Sequence, residues 1–592
     1  MNARMDLKKT TQNNPQILPV GDRCLTIVLG DCIAYETHQK INQLCQRLEQ
    51  ERIDGILEWV PTYGALLIAY EPEVVLFEAL VQKIEKLMAV NEALISTEAE
   101  VVTLPVCYGG KYGLDLAFVA AHTKLSEAEV VARHVSGDYL IYMLGFTPGF
   151  PYLGGMDESL ETPRLKTPRT KIPAGAVGIA GKQTGVYPSS SPGGWKLIGQ
   201  TPLRLFDPFR EQPFLLKAGQ RLRFEAIDEA AFKALAGEQV QNRATLEAVV
   251  QTASLQIENA GLLTTIQDAG RYGFRQYGVS VGGVMDAYAA RTANCLVGNL
   301  ETAAVLEMTY LGVAFVALKS VTMAYTGAAS DFKINGQLKP MDRSHVLQVG
   351  DRVQIGAFTK GVRGYLAFSG GVICQKVMNS YSTDLRGGFG GYEGRGLKVG
   401  DLLLVGGLES ANRLEKSLER KGAQKLIDPS LKTMPEGGVR VILGPQSNLF
   451  SQEDLNRFTE SVYRVTKDSD RMGMRLDGET LSPEGGGDIL SDGIAQGAVQ
   501  VAGQGSPMVM LADCQTTGGY AKIAQVISID LPLLAQLKPG DSLAFQWIDL
   551  EMAQALYLQE RQAALVVPVG RQMRLSIEGH LFEVEVEEMV LT

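Results

Sequence analysis

The chain has 592 residues, enough for about four domains of the usual ~150 residues each. Its 45% hydrophobic content suits globular cores, and its net charge of −10 argues against nucleic acid or an anionic membrane as a partner. Seven scattered cysteines without a C-x-x-C pair, no apolar run of membrane-spanning length, and an N-terminus without an apolar signal core point to a reducing, cytoplasmic setting.

Residues 1–16 read as a disordered tail. Alternation over Cys24–Leu29 and the run Ala65–Tyr70 predict strands, and helical spacing predicts helices over Tyr35–Arg52 and Glu73–Ala89. Together these make a small α+β unit. Val101–Cys107 reads as a further strand. Ser126–His134 reads as a helix, with Ser126 as N-cap and Glu129 completing a capping box.

Met143–Trp195 breaks the regularity, with ten glycines, seven prolines and one short apolar run of strand character. Ordering such a segment costs entropy, and long ordered loops carry binding or catalysis. Arg164, Arg169 and Lys171 place cations in it, suited to an anionic ligand. His134 precedes it and reads either as an acid, base or hydrogen-bond donor, or as a helix-terminal histidine held by the dipole. Lys182, Gln183, Tyr187 and Trp195 fit a pocket lining, and Trp195 equally fits a packing anchor.

A turn-and-strand device then recurs. Lys217-Ala-Gly-Gln, Gln348-Val-Gly-Asp, Lys398-Val-Gly-Asp and Lys538-Pro-Gly-Asp precede short apolar strands beginning at Arg221, Arg352, Leu402 and Ser542. The repeat suggests related small β-barrel domains. Gly237–Gln251 and Glu409–Gly437 read as linkers, so the chain divides near 95, 240–255 and 410–437, into domains 1–95, 96–240, 255–410 and 437–592. A helix from Ala553 and strands Leu565–Val569, Met573–Ile577 and Phe582–Val586 close the chain.

In the second half, Gln267, Asp268 and Arg271 precede a glycine-rich stretch that lacks the dinucleotide fingerprint. Asp286 reads as the N-cap of a helix over Ala287–Leu296. Leu385–Leu397 holds six glycines with Arg386 and Arg395, and reads as an anion-wrapping loop or a solvated turn. Asp470–Arg475 and Ala512–Tyr520 are polar clusters. Asp513 reads as a functional carboxylate at a strand end or as the ion partner of Arg471, and Cys514 as a buried thiol. No Walker-type loop, G-x-S-x-G elbow, biotin-carrying Met-Lys-Met or metal-spaced histidine pair is present.

GFTPGFPYLGG, TPRLKTPR, IPAGAVGIAGKQTGVYP and SPGGW closely resemble the allophanate hydrolase subunit 1 (KipI-type) family. GLLTTIQDAGRYGF, GVMDAYAARTANCLVGN, YTGAASDFKINGQ, RGYLAFSGGV, GRGLKVGD, SDRMGMRL and DCQTTGGYAKIAQVISIDL resemble the subunit 2 (KipA-type) family. In this order the chain resembles a fusion of the B and C subunits of 5-oxoprolinase, and is similar to the carboxyltransferase region of urea carboxylase. The resemblance implies a β-rich α+β chain: a small α+β N-terminal domain plus three cyclophilin-like β-barrel domains. It implies ATP-driven opening of 5-oxoproline together with the separate A subunit of 5-oxoprolinase, and no activity without that partner. The alternatives are biotin-dependent carboxyl transfer to urea or a similar amide, and regulatory binding of a histidine kinase. A small-molecule substrate and a possible homo-oligomer complete the expectation. The expected catalytic residues are His134, Lys171 and Asp513. The expected substrate-binding residues are Arg164, Arg169, Gln183, Tyr187, Trp195, Arg271, Arg395, Arg471 and Tyr520. No metal is expected.

Overall fold

Strands Gln16–Pro19, Cys24–Val28, Ala65–Tyr70 and Ile56–Pro61 pair antiparallel in that order. Helices Tyr35–Glu51 and Phe77–Ala89 cover one face. Alternation along Ala65–Tyr70 sends Leu66, Ile68 and Tyr70 into the core under those helices. Leu67 and Ala69 point the other way and pack with Ala495 of the second half. A strand buried on both faces explains the unbroken apolar run and fixes this unit to the rest of the molecule. The computed structural model describes residues 15–89, 100–238, 253–406 and 433–562, with the backbone strands Gly570–Ile577 and His580–Glu587. The division points near 95, 240–255 and 410–437, most of the expected N-terminal tail, and the expected strand Leu565–Val569 lie wholly or largely outside the described residues.

The next sheet has seven strands, in the order Gln183–Val186, Ala176–Ala180, Lys196–Gln200, Val101–Tyr108, Arg221–Ala226, Tyr139–Leu144 and Pro151–Gly154. It wraps an apolar core that includes Leu104, Ile141, Ile179 and Leu222. Helix Glu127–Ser136 is capped as its sequence requires. The Ser126 hydroxyl accepts from the Glu129 N–H at 3.2 Å, and the Ser126 N–H donates to Glu129 Oε2 at 2.7 Å. A preceding helix, Leu116–Thr123, was not expected. Met143–Trp195 holds more strand than its glycines and prolines suggest. Besides its share of the barrel it forms a two-stranded arm, Arg169–Ile172 with Ser191–Gly193.

The second half contains a ten-stranded and a nine-stranded sheet, each around its own core. In the first, the long strands Val321–Ile334 and Arg352–Phe368 pair with register shifts that bend them round the core. Helix Ala287–Leu296 is capped by Asp286, whose Oδ1 accepts the Ala289 N–H at 2.8 Å. The β-rich, barrel-like architecture is the expected one.

The recurring turn has one geometry in all four copies. Gly219, Gly350, Gly400 and Gly540 take φ of 85, 91, 90 and 93°. The side chain of the residue after each glycine accepts the backbone N–H three residues earlier, at 2.7, 2.7, 2.7 and 2.9 Å. Glycine is required for the φ, and Asp or Gln for the acceptor.

Candidate functional site

The two halves meet at the start of the Gly-Pro-rich segment. The Thr147 N–H donates to the Gly145 carbonyl at 2.7 Å, closing a three-residue turn on Phe146 at φ 64°. A second turn follows, in which the Phe150 N–H donates to the Thr147 carbonyl at 3.0 Å, with Gly149 at φ 80°. The second half clamps this double turn. Leu144 bridges Tyr277, and the Gly149 N–H donates to the Tyr277 carbonyl at 2.8 Å. A Cβ on Gly145 would lie 2.2 Å from the Thr517 hydroxyl, and one on Gly278 2.5 Å from the Thr147 carbonyl. Both glycines are therefore required by close approach. Phe214 of the first half stacks on Tyr277 at 4.4 Å, beside Phe206 and Phe389.

Aromatic side chains gather behind the turn. Phe150 meets Tyr152, Tyr187 and Trp195 edge-on at 5.2, 5.6 and 5.7 Å. Tyr63 contacts Tyr142 and Tyr152, and its hydroxyl accepts from Gln183 Nε2 at 2.9 Å. Burial raises the Tyr152 phenol, against the opposing pull of the Thr517 hydroxyl and the Arg164 charge. Burial likewise pushes Tyr187 up to about 12, with its backbone bond to Trp195, Arg164 and then Arg169 acting against it. Arg164 thus stands near both phenols. It is exposed and makes no hydrogen bond or ion pair among the described residues. It is a cation held beside an aromatic wall and left uncommitted.

The second half meets this segment with strand Thr517–Val526, which pairs with Asp488–Gly493. Behind it Lys522, buried, donates to Asp492 at 2.8 Å, and Gln446 Nε2 donates to the same carboxylate oxygen at 3.2 Å. Gln500 Oε1 and the Thr516 hydroxyl have no partner among the described residues. Arg164 and the phenols of the first half therefore lie beside a seam whose other side is strand Thr517–Val526, with buried amides behind it. That combination suits a small ligand carrying a carboxylate and an amide.

Several expected site residues are employed elsewhere. His134 is fully buried, held by the Tyr108 hydroxyl at 2.8 Å and the Thr184 hydroxyl at 2.9 Å and packed on Phe224. Desolvation lowers it to about 3, so it is a neutral core histidine and is not exposed to a substrate. Arg169 pairs with Asp115 at 2.8 Å and ties the two-stranded arm to the barrel. Lys171 is exposed on that arm. Gln183, Tyr187 and Trp195 lie in the aromatic group, with Trp195 packed as an anchor on Phe150 and Ile172.

Arg271 is buried and donates to the carbonyls of Val377 and Ser382 at 3.0 and 2.8 Å. Arg395 braces Asp401, itself the acceptor of a recurring turn. The glycine-rich loop beside it is no phosphate cradle. Its Gly387, Gly388, Gly391 and Gly394 N–H groups are taken by Asp384, Tyr381 and Gly390. ATP therefore finds no fit there. Arg471 and Asp513 form a two-pronged ion pair at 2.8 and 2.9 Å, and Arg471 also binds Glu307 and the Gly283 carbonyl. This network joins the two barrels of the second half, so of the two readings of Asp513 the structure has the ion pair. Tyr520, on strand Thr517–Val526, is 40% exposed.

A cavity of about 410 Å³ lies where the first α+β unit, both second-half sheets and helix Leu550–Gln562 meet. Its arginines are committed: Arg23 to Glu71, Arg275 to Glu58, Arg291 to Glu560, and Arg561 to Glu73 and Glu301. The seam at Gly145 and Thr517 differs from it in having an uncommitted cation, Arg164, beside it, and is the candidate site. Among the described residues no group of three His, Cys, Asp or Glu is arranged to hold a metal. No helix among them is long and apolar enough to cross a membrane. Sequence reading missed Phe146, Tyr152 and Tyr63. Phe146 and Tyr152 sit inside the segment singled out, but only contacts across the fold mark them.

Residues 15–216 match the family model described as carboxyltransferase domain, subdomain C and D, and residues 277–547 the one described as carboxyltransferase domain, subdomain A and B. The first half is 40% identical over 229 residues to the B subunit of 5-oxoprolinase from Bacillus subtilis (strain 168), covering 37% of this chain and 95% of that protein. The second half is 37% identical over 300 residues to the C subunit of 5-oxoprolinase from Escherichia coli (strain K12), covering 50% of this chain and 93% of that protein. The crystal structure of TTHA0988 superposes with a TM-score of 0.75 at 33% identity, covering 89% of this chain and 100% of that one.

Proposed function

Because the chain belongs to the carboxyltransferase-domain family that contains the B and C subunits of 5-oxoprolinase, we propose that it is the fused B–C component of an ATP-dependent 5-oxoprolinase, opening 5-oxoproline to glutamate with a separate A subunit. The observation that carries this reading is one chain matching both proteins over nearly their whole lengths, with the distinctive loops of each half in direct contact. Arg164 binds the substrate carboxylate, and Lys171 adds a second positive charge from the arm. Tyr152 and Gln183 present hydroxyl and amide groups to the lactam, and the buried Tyr63 hydroxyl holds the Gln183 amide in place. The buried Phe150 and the aromatic side chains around it keep bulk water from that side of the site. The net chemistry adds water across the lactam C–N bond, and ATP drives it. The test is 5-oxoproline-dependent ATP hydrolysis and glutamate formation by the purified chain mixed with the A subunit. Activity only in the mixture supports the reading, and a mixture without activity refutes it.

The description of both matched models as carboxyltransferase domains favours a second reading, transfer of a carboxyl group from carboxybiotin to urea or a similar amide. Carboxylation dependent on a biotin carrier added in trans, and abolished by avidin, would establish it in place of the first.

A further inference from the structure

The cavity of about 410 Å³ between the first α+β unit, the second-half sheets and helix Leu550–Gln562 has the size of a small-molecule site, about 300–1,000 Å³. Its arginines are each matched by a glutamate, so the walls offer a polyanion such as ATP no spare positive field. What remains is a set of unpaired polar groups from three parts of the chain. Asp22, in the turn between strands Gln16–Pro19 and Cys24–Val28, lines the cavity and is 2% exposed. Its Oδ1 accepts the Ser528 N–H and hydroxyl, each at 3.0 Å, but its Oδ2 is buried without a donor. Desolvation accordingly pushes this carboxyl up to about 6. Arg23 lines the cavity beside it, paired with Glu71 through Nη2 while its Nε has no acceptor. Tyr272, of the second half, lines the same cavity, and its hydroxyl makes no hydrogen bond among the described residues. Tyr272 keeps 38% of its surface accessible, yet burial raises its phenol, so that surface looks onto an enclosed space. Gln496, which follows strand Asp488–Gly493, also lines the cavity, and its side-chain amide makes no hydrogen bond among the described residues.

We propose that this cavity is a second ligand site, separate from the seam at Gly145 and Thr517, and that it binds a free α-amino acid with its ammonium group facing Asp22 and its carboxylate facing Arg23, Tyr272 and Gln496. A buried carboxylate oxygen short of a donor calls for an N–H group, and an ammonium group supplies both the hydrogen bond and the opposite charge. The free phenol and amide are hydrogen-bond donors for the anionic end. A zwitterion brings both ends without adding net charge to walls whose arginines are already matched. The site stands on the cavity alone and does not depend on the oxoprolinase reading.

The experiment titrates the complete chain, without the A subunit, with L-glutamate, with L-glutamine and with glutarate, which is L-glutamate without its amine, and follows the heat of binding. At least one of the two amino acids is expected to bind one per chain, and glutarate at least about tenfold more weakly than L-glutamate. Asp22→Asn keeps an acceptor for Ser528 and removes the charge. Tyr272→Phe removes one hydroxyl and serves where Asp22→Asn fails to fold. Each is expected to weaken amino-acid binding by about tenfold, and Arg164→Gln, at the seam, to leave it unchanged. No saturable binding of either amino acid overturns the proposal, as does glutarate binding as tightly as L-glutamate. Binding that is lost in Arg164→Gln but intact in Asp22→Asn and Tyr272→Phe also overturns it, and assigns the amino acid to the seam. Each of these failures leaves the oxoprolinase reading standing, since that reading is tested by turnover with the A subunit.

Discussion

Arg164 and His134 show how far residue type alone carries. Both stood out as polar groups beside a glycine-rich segment, but only Arg164 is exposed and uncommitted. Arg164→Gln is expected to raise KM for 5-oxoproline by tenfold or more, at about 1.5–3 kcal/mol for a charge-assisted contact, with no change in melting temperature. Steady-state kinetics beside a thermal melt check this. His134, lowered to about 3 from 6.5, is neutral in the fold and protonates in the unfolded chain. A depressed folded value means stability is full above about pH 6.5 and is lost as pH falls, by up to about 1.4 kcal/mol per pH unit. His38, lowered to about 4 by burial, adds a smaller term of the same sign. His134→Gln is expected to flatten this slope in urea titrations between about pH 7 and about pH 5, and to leave kcat/KM unchanged. A variant whose slope matches the wild type, or whose turnover collapses, contradicts the core assignment. The sequence could not separate the two residues, because burial depends on Tyr108, Thr184 and Phe224, none adjacent to His134.

At the scale of elements, the capping box at Ser126, the N-cap Asp286 and all four recurring turns were legible, because each is set by a few consecutive side chains. Asp351→Ala or Asp541→Ala removes one side-chain acceptor from a backbone N–H, and each is expected to cost about 1 kcal/mol in chemical denaturation. Asp401→Ala is expected to cost more, since it also removes the two-pronged partner of Arg395. Equal losses at the three positions would contradict this. The strands inside Met143–Trp195 were not legible. Glycine and proline mark turns in a single sequence, and there Ala176–Ala180 is a central strand whose small residues let neighbours approach. Of the two readings of Leu385–Leu397, the anion-wrapping loop gives way for a related reason: the Gly387, Gly388, Gly391 and Gly394 N–H groups are satisfied by residues that local pattern does not reveal.

The whole molecule is joined by contacts that sequence order hides. Glu307 of one barrel, Arg471 and Asp513 of the other, and Arg363 beside them form a buried charge network. Glu307→Gln leaves Arg471 short of one charge partner, and truncating such a pair typically costs about 3–5 kcal/mol. The loss is expected as separate unfolding of the two barrels in calorimetry, with the wild type expected to unfold in one transition. A single unchanged transition would contradict a joining role. The first half is seated on the second through Gly145 against Thr517, and Gly278 against Thr147. Gly145 has no left-handed φ to protect, so Gly145→Ala disturbs only that contact.

The most direct test is therefore 5-oxoproline-dependent ATP hydrolysis by wild-type and Gly145→Ala chains, each mixed with the A subunit. A shared site predicts an active wild type and a Gly145→Ala chain at least about tenfold slower, equivalent to about 1.4 kcal/mol of transition-state stabilisation. An inactive wild type, or a Gly145→Ala chain as fast as the wild type, contradicts it.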